Sequence, residues 1–181
     1  GGVAFFLTNI LWKEEEAGAN AAPKAEEKVL GAPSATALTT EAGVVNAPVN
    51  GKIIPAKEIP DPVFAEETMG PSVGIQPTEG IVYAPFDGEV MMIFPTNHAI
   101  GVKADNGMEV LIHVGVDTVA MDGDGFSAFV KQGDKVKAGQ KLLSFDRDKI
   151  AKANHPDTVI VALTNGAEYK DCLLYTSDAA D

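Results

Sequence analysis

The chain has 181 residues with 45% hydrophobic content, 18 Gly and 11 Pro, and its formal net charge is −12. That length allows one domain of ordinary size with extensions, and its Gly and Pro content favours strands and turns. The acidic charge argues against nucleic-acid binding, which needs basic surface, and favours a partner with a basic docking face.

The first 43 residues differ in composition from the rest. Residues 1–12, GGVAFFLTNILW, are apolar and stop at a charged run from Lys13 to Glu16. Twelve residues cannot span a bilayer, which needs about 20. We expect them to be the last turns of a truncated membrane helix; a short amphipathic or buried helix is the alternative. Residues 13–43 are predicted to be a flexible linker, because they contain too few large apolar residues to offset their ordering entropy.

From Val44 onward, short β-branched runs are broken by Gly, Pro and Asp, which is typical of an all-β antiparallel sandwich or barrel with at most short helices. A weak internal repeat supports this class. The sequence APVNGKII, from Ala47 to Ile54, returns 37 positions later as APFDGEVM, from Ala84 to Met91. Such a duplication predicts two similar layers packed on each other.

Three segments flank the central part of this region. IPDPVFAEETMG, from Ile59 to Gly70, is predicted to be a loop that carries apolar side chains near the surface. VKQGDKVKAGQKLLSFD, from Val130 to Asp146, predicts two strands around a charged glycine loop, and one brief helix is expected over Asp146 to Ala153. Residues 158–163, TVIVAL, follow a turn at His155 and are predicted to be a buried strand.

The stretch from Phe94 to Asp117, FPTNHAIGVKADNGMEVLIHVGVD, predicts two strands around a turn. Asn and Gly tolerate the positive φ that a hairpin loop requires, so the turn is placed at Asp105, Asn106 and Gly107. The period of two places alternate residues on opposite faces. One face is expected to hold Val110, Ile112, Val114 and Val116, and the other Glu109, Leu111, His113, Gly115 and Asp117.

The loop length sets where the two histidines of this hairpin lie. A loop of two or four residues pairs His113 with Ile100, which makes His98 and His113 diagonal neighbours with Cα atoms about 7–8 Å apart. A three-residue loop is expected to put them on opposite faces. Thr96 lies two residues before His98, so its hydroxyl is predicted to be on the same face and to orient that ring.

Two converging histidines favour a functional site, and the residue types alone leave chance, metal binding and phosphoryl chemistry about equally open. The sequence contains no Gly-rich phosphate loop ending in Lys-Ser or Lys-Thr, no CxxC pair, no HExxH and no G-x-S-x-G elbow. An imidazole can carry a phosphoryl group as a nucleophile, and a second ring or hydroxyl beside it can stabilise the charge in transfer.

Several motifs in order resemble a known family over residues 44 to about 171: APVNGKIIP, IPDPVFAEETMG, GIQPTEG, YAPFDGEV, FPTNHAIG, VLIHVGVDTV with GDGF, and VKQGDKVKAGQKLLSFD. They resemble the enzyme IIA domain, glucose family, of the bacterial phosphoenolpyruvate-dependent sugar phosphotransferase system. The resemblance implies an antiparallel β sandwich with its active site on a shallow surface. It also implies that His113 accepts phosphate from the carrier protein HPr and passes it to a cysteine of a IIB domain, without a cofactor.

The resemblance implies roles for the residues around His113. His98 corresponds to the second active-site histidine, and Thr96 to its hydroxyl partner. Two acids that flank the site and meet the basic side of HPr correspond to Asp61 and Asp117. The remaining matches form an apolar docking rim of Val63, Phe64, Met69 and Phe94.

The two ends depart from the pattern of that domain. Residues 172–181, CLLYTSDAAD, contain the single Cys and resemble the translation of a sequencing adapter, so we expect a foreign tail that replaces the family's last strand. The apolar start and the linker resemble the join between a IIC membrane domain and a fused IIA domain. This implies a permease of the β-glucoside, sucrose or trehalose type, with the IIA domain in the cytoplasm and tethered to the inner face of the membrane.

Two other functions remain open. Paired histidines can hold zinc, and related folds host metallopeptidases; a catalytic zinc takes three protein ligands, and the hairpin offers no dependable third beside His98 and His113. Zinc shared with a partner therefore remains an alternative. VKQGDKVKAGQKLL also resembles a biotinyl or lipoyl carrier module, whose modified lysine often lies in a Met-Lys-Met turn, and that tripeptide does not occur here.

Overall fold

The structure, a computed structural model, describes residues 37–40 and 43–169. Its strands are β1 (Ala37–Thr40), β2 (Gly43–Asn46), β3 (Gly51–Pro55), β4 (Ser72–Pro77), β5 (Ile81–Tyr83), β6 (Gly88–Ile93), β7 (Ala99–Ala104), β8 (Glu109–Val114), β9 (Phe126–Ala128), β10 (Lys135–Val136), β11 (Lys141–Phe145) and β12 (Val159–Leu163). The short helices are α1 (Pro62–Ala65) and α2 (Arg147–Lys152), with 3₁₀ turns η1 (Ala56–Glu58), η2 (Thr118–Met121) and η3 (Gly166–Glu168). The expected all-β class is confirmed.

The predicted membrane helix at residues 1–12 and the predicted foreign tail at residues 172–181 lie outside the described residues, as does most of the predicted linker. Strand β1 falls within the linker range and pairs with β2. None of the short helices in the part of the chain that the structure describes could cross a bilayer.

Two antiparallel sheets enclose the main core. The larger has seven strands in the order β10-β6-β7-β8-β12-β4-β3, and the smaller has three in the order β5-β11-β9. Alternate side chains of both sheets meet between them, among them Ile75 and Ile112 from the larger and Val82 and Leu143 from the smaller. Each fully buried side chain of this kind contributes about 1.5–3 kcal/mol relative to exposure.

A second, smaller apolar cluster covers the outer face of the seven-stranded sheet at its centre. Its members come from β7, β8 and β12 and from the segments packed over them: Ile59, Phe64, Ala99, Leu111, Val116, Ile160 and Ala162. Because the sheet is covered on both faces here, every residue of β12 is buried, as the continuous apolar run predicts. The side chains of the two histidines pack on this outer cluster.

The internal repeat corresponds to a structural repeat. Strands β3 and β6 occupy equivalent positions in the two copies, and each begins with a glycine packed on the backbone of its neighbour. A Cβ atom at Gly51 would lie 2.1 Å from the carbonyl oxygen of Gln76, and one at Gly88 would lie 2.1 Å from that of Lys103. The two copies do not form the separate layers that the duplication had predicted, since both strands belong to the same seven-stranded sheet.

The register of the β7–β8 hairpin differs from the predicted one. His113 pairs with Ala99 rather than Ile100, because three residues, Asp105 to Gly107, form the loop. The side chain of Asn165 holds this loop from outside the hairpin: its Nδ2 donates to the Gly107 carbonyl at 3.0 Å and its Oδ1 accepts from the Glu109 amide at 2.9 Å. A contact 56 residues away in sequence therefore helps to fix the loop length.

The alternation along β8 is confirmed up to the end of the strand. Val110, Ile112 and Val114 point into the main core, as predicted. Val116 instead joins the outer cluster, because the strand ends at Val114 and Gly115 reverses the chain with φ +76°.

Candidate active site

The imidazole of His113 has a fixed orientation. Its Nδ1 lies 2.8 Å from the carbonyl oxygen of Gly115. A carbonyl can only accept, so Nδ1 carries the proton and donates it, and the lone pair of the neutral ring is on Nε2. Gly115 allows this contact: a Cβ there would lie 2.4 Å from Cγ2 of Thr118 and 2.9 Å from the Pro156 carbonyl oxygen. The fold therefore requires glycine at position 115, two residues after His113.

His98 comes from the turn that precedes β7, and its side chain is only 3% exposed. Its Nδ1 lies 2.5 Å from Oγ1 of Thr96, as the spacing predicts, and its carbonyl accepts from the Val114 amide at 2.8 Å. Asn97 takes a left-handed conformation with φ +55°, which breaks the strand alternation at this point. His98 thus faces the same side as His113 although the loop has three residues.

The two rings meet as predicted, with centroids 4.9 Å apart and planes at 78°. The expectation that a three-residue loop separates them is wrong, because His98 lies outside the regular strand. Each ring also contacts an aromatic side chain: Phe64 lies 5.5 Å from His113, and Phe94 lies 5.2 Å from His98, measured between centroids.

Helix α1 places its residues differently from the predicted surface loop. Asp61 caps the helix by accepting from the Val63 amide at 2.8 Å, and Pro62 follows at the first helical position. The resulting turn buries Phe64, which is 7% exposed, beneath the site, so its predicted place near the surface is wrong. Val63 and Met69 are exposed, as predicted.

Burial controls the protonation of both rings. The pKa of His98 is lowered to about 4, mainly by burial and to a smaller extent by the neighbouring His113. Burial also lowers the pKa of His113, but its hydrogen bond to Gly115 and the negative charges of Asp61 and Asp117 act in the opposite direction. Both imidazoles are therefore neutral near pH 7, the state in which a ring nitrogen is nucleophilic.

Two exposed apolar residues that the sequence did not indicate extend the same surface. Val119, in η2 directly after Asp117, is 57% exposed. Met92 is 42% exposed and lies over Gly101, where a Cβ would be 3.0 Å from the methionine Cγ. Gly101, a glycine inside a predicted strand, was the available signal for Met92, because such a glycine often marks a bulge or a close approach of another chain segment. The structure has such an irregularity, since the strand register shifts between Val90 and Met92.

The site offers few ligands to a metal ion. In residues 37–40 and 43–169 there is no group of three or more His, Cys, Asp or Glu side chains arranged to hold one. His98 and His113 supply two nitrogens, so zinc shared with a partner stays an untested prediction. The arrangement suits a covalent group on the open nitrogen of His113, with a second ring and a hydroxyl beside it.

Two comparisons with known proteins agree with this geometry. A family model described as phosphoenolpyruvate-dependent sugar phosphotransferase system, EIIA 1, matches residues 43–169. A solved structure, glucose permease IIA from Mycoplasma capricolum, is 39% identical to the chain and superposes with a TM-score of 0.62. That match covers 67% of this chain and 80% of the other.

Proposed function

The chain belongs to the EIIA 1 family of the phosphoenolpyruvate-dependent sugar phosphotransferase system, and we propose that it carries the phosphoryl group on Nε2 of His113. As a member of that family it is a phosphotransferase component, a phosphoryl carrier in sugar transport. One observation carries the assignment to His113: the 2.8 Å contact between its Nδ1 and the Gly115 carbonyl, which leaves Nε2 as the nucleophilic nitrogen.

The acceptance step uses the neutral ring. The Nε2 lone pair of His113 attacks the phosphorus atom, the bond from phosphorus to the donor breaks, and the donor leaves with that electron pair. The His113 ring keeps its Nδ1 proton and becomes cationic. The Gly115 carbonyl accepts from that proton, and the charges of Asp61 and Asp117 stabilise the cation. Onward transfer reverses these changes, and the ring leaves as neutral imidazole.

His98 is positioned to hold the phosphoryl group rather than to carry it. If the Thr96 hydroxyl donates to Nδ1 of His98, the proton of that ring is on Nε2, which can donate to a phosphoryl oxygen. The low pKa of His98, about 4, keeps this ring neutral beside the cationic His113. Two positive rings 4.9 Å apart would repel each other, so a neutral donor is the favourable choice.

The surface around the histidines suits large partners. Domains of this family exchange the phosphoryl group with HPr and with IIB domains. Here Val63, Met69 and Val119 expose apolar side chains around the site, and Asp61 and Asp117 add negative charge. We propose that HPr and a IIB domain dock in turn on this surface, with the apolar side chains in the contact and the acids facing basic residues.

The position of the domain in a longer protein is a proposal from sequence. The apolar residues 1–12 and the polar residues 13–43 support fusion to a IIC membrane domain, with the IIA domain tethered at the cytoplasmic face. Fractionation of the full product of the gene that encodes this chain checks this: we expect it in the membrane fraction, and its complete recovery in the soluble fraction contradicts the tether.

A transfer assay tests the roles of the side chains. With phosphoenolpyruvate, enzyme I and HPr, we expect the chain to acquire a phosphate that is labile in acid and stable in base, and His113→Gln to acquire none. His98→Gln and Thr96→Val should accept phosphate but pass it to IIB more slowly, by about tenfold for the lost hydroxyl, which corresponds to about 1.4 kcal/mol.

Thr78→Val is the matched control. The Thr78 hydroxyl lies in the segment that connects β4 and β5, and it donates only to the Asn50 carbonyl, at 3.1 Å. Its transfer rates should equal those of the parent protein. Phosphate retained by His113→Gln removes the assignment of the carrier residue, and unimpaired transfer by His98→Gln removes the proposed role of the second ring.

A further inference from the structure

A second cleft lies apart from the two histidines. Its walls are η2 with the loop that follows it, and α2 with the turn at its end. Its volume is about 510 Å³, within the range of roughly 300–1,000 Å³ that small-molecule sites occupy. Ala120, Met121 and Ala153 give it an apolar lining, and neither His98 nor His113 contributes.

The polar side chains of this cleft are two lysines, one histidine and one aspartate. Lys149 pairs with Asp124 at 2.6 Å, so their charges cancel. Lys152 and His155 also line the cleft, and within the described residues neither side chain has a hydrogen-bond or ion-pair partner. In a chain of net charge −12, the cleft therefore offers an unpaired ammonium and an imidazole together with apolar lining residues.

We propose that this cleft binds a small phosphate monoester of the sugar phosphate class. The phosphate oxygens accept from Lys152 and His155, since a doubly charged acceptor suits two adjacent donors. The carboxylate of Asp124, already held by Lys149, accepts from sugar hydroxyls, and Met121 and Ala153 contact the carbon skeleton. The choice of a sugar as the ester group rests on the proposed function, because phosphorylated sugars are the product class of that system.

One chain segment connects this cleft to the histidines. Residues 117–125 begin at Asp117, whose charge acts on His113, and end beside Asp124 in the cleft. Between them Gly123 packs on Thr96: a Cβ at Gly123 would be 3.5 Å from the Thr96 carbonyl oxygen. Binding in the cleft is therefore expected to be detectable at Thr96, which orients His98.

Nuclear magnetic resonance on the uniformly ¹⁵N-labelled 181-residue chain tests the site. Titration with glucose 6-phosphate should produce saturable shifts of the amides of Met121, Asp124 and Ala153, with smaller shifts at Gly123 and Thr96. Inorganic phosphate should bind more weakly and glucose more weakly still. Lys152→Met should weaken glucose 6-phosphate binding about tenfold, equivalent to about 1.4 kcal/mol.

Lys52→Met is the matched control, because Lys52 is an exposed cation on edge strand β3 away from the cleft. It should bind as the parent chain does. Any of three results overturns the site: no saturable shifts at millimolar ligand, shifts confined to His98 and His113, or equal weakening by both substitutions.

Phosphorylation in the assay with HPr, measured on the same samples, separates the two proposals. Phosphorylation without cleft binding removes only this inference, and cleft binding without phosphorylation removes only the proposed function.

Discussion

The two copies of the internal repeat serve the same site in different ways. After β3 the chain enters the segment of α1, which packs Phe64 against His113; after β6 it enters the turn that packs Phe94 against His98. The first copy adds the carboxylate of Asp61, whereas the second adds Thr96 and His98 themselves. The strands of the repeat are thus a common scaffold, and the unlike segments that follow them supply side chains that surround His113.

Removal of these two aromatic side chains is expected to change the free energy of unfolding most. Phe64 is 7% exposed, so Phe64→Ala is expected to lower the free energy of unfolding by about 3–5 kcal/mol, as for other buried phenylalanines. Phe94 is only partly buried, and Phe94→Ala should cost clearly less. Urea denaturation of both variants checks this, and equal losses would contradict the assignment of Phe64 as the buried floor of the site.

The two glycines that begin β3 and β6 allow a direct comparison of the two strands. A Cβ at either position lies 2.1 Å from a backbone carbonyl oxygen, so Gly51→Ala and Gly88→Ala both destabilise. Strand β3 is at the sheet edge and can shift, whereas β6 lies between β10 and β7. We expect about 3 kcal/mol for Gly88→Ala and about 1 kcal/mol for Gly51→Ala. A larger loss at Gly51 in thermal or urea unfolding would show that the edge strand is not the more adaptable one.

A further comparison concerns pH. The pKa of His98 is about 4 in the fold, below its usual value near 6.5, so the unfolded chain binds more protons between these values. Stability from this group is fully present above pH 6.5 and is lost as pH falls toward 4. His98→Gln should flatten the stability profile in that window. Urea midpoints at pH 7.5 and pH 5 test this, and an unchanged slope in the variant would show that another group is responsible.

The sequence predicts the scaffold better than the way the site is assembled. The strand at residues 159–163 and the hairpin β7–β8 follow from β-branched runs and alternation, which are local signals. The meeting of His98 and His113 was predicted for a wrong reason. The loop has three residues and is bonded by Asn165, far along the chain, and Asn97 then turns His98 back to the other face.

Two further differences arise from short turns that the alternation of apolar residues does not indicate. Phe64 appears as one apolar residue in a loop, and only the helical phase set by Asp61 and Pro62 directs it inward. Val119 is a single apolar residue in a turn, and its place beside the site depends on the reversal of the chain at Gly115 and Asp117. The sequence thus indicated that His98, His113 and Thr96 come together, whereas it did not indicate the burial of the surrounding residues or the register.

The position of the phosphate on the imidazole tests the central claim most directly. The phosphorylated chain, labelled with ¹⁵N in its histidines, can be examined by ³¹P and ¹⁵N nuclear magnetic resonance. The contact between Nδ1 of His113 and the Gly115 carbonyl predicts a phosphorus–nitrogen bond at Nε2 of His113, with the proton still on Nδ1 and no phosphate on His98. Phosphate on Nδ1 of His113, or on either nitrogen of His98, would contradict the account.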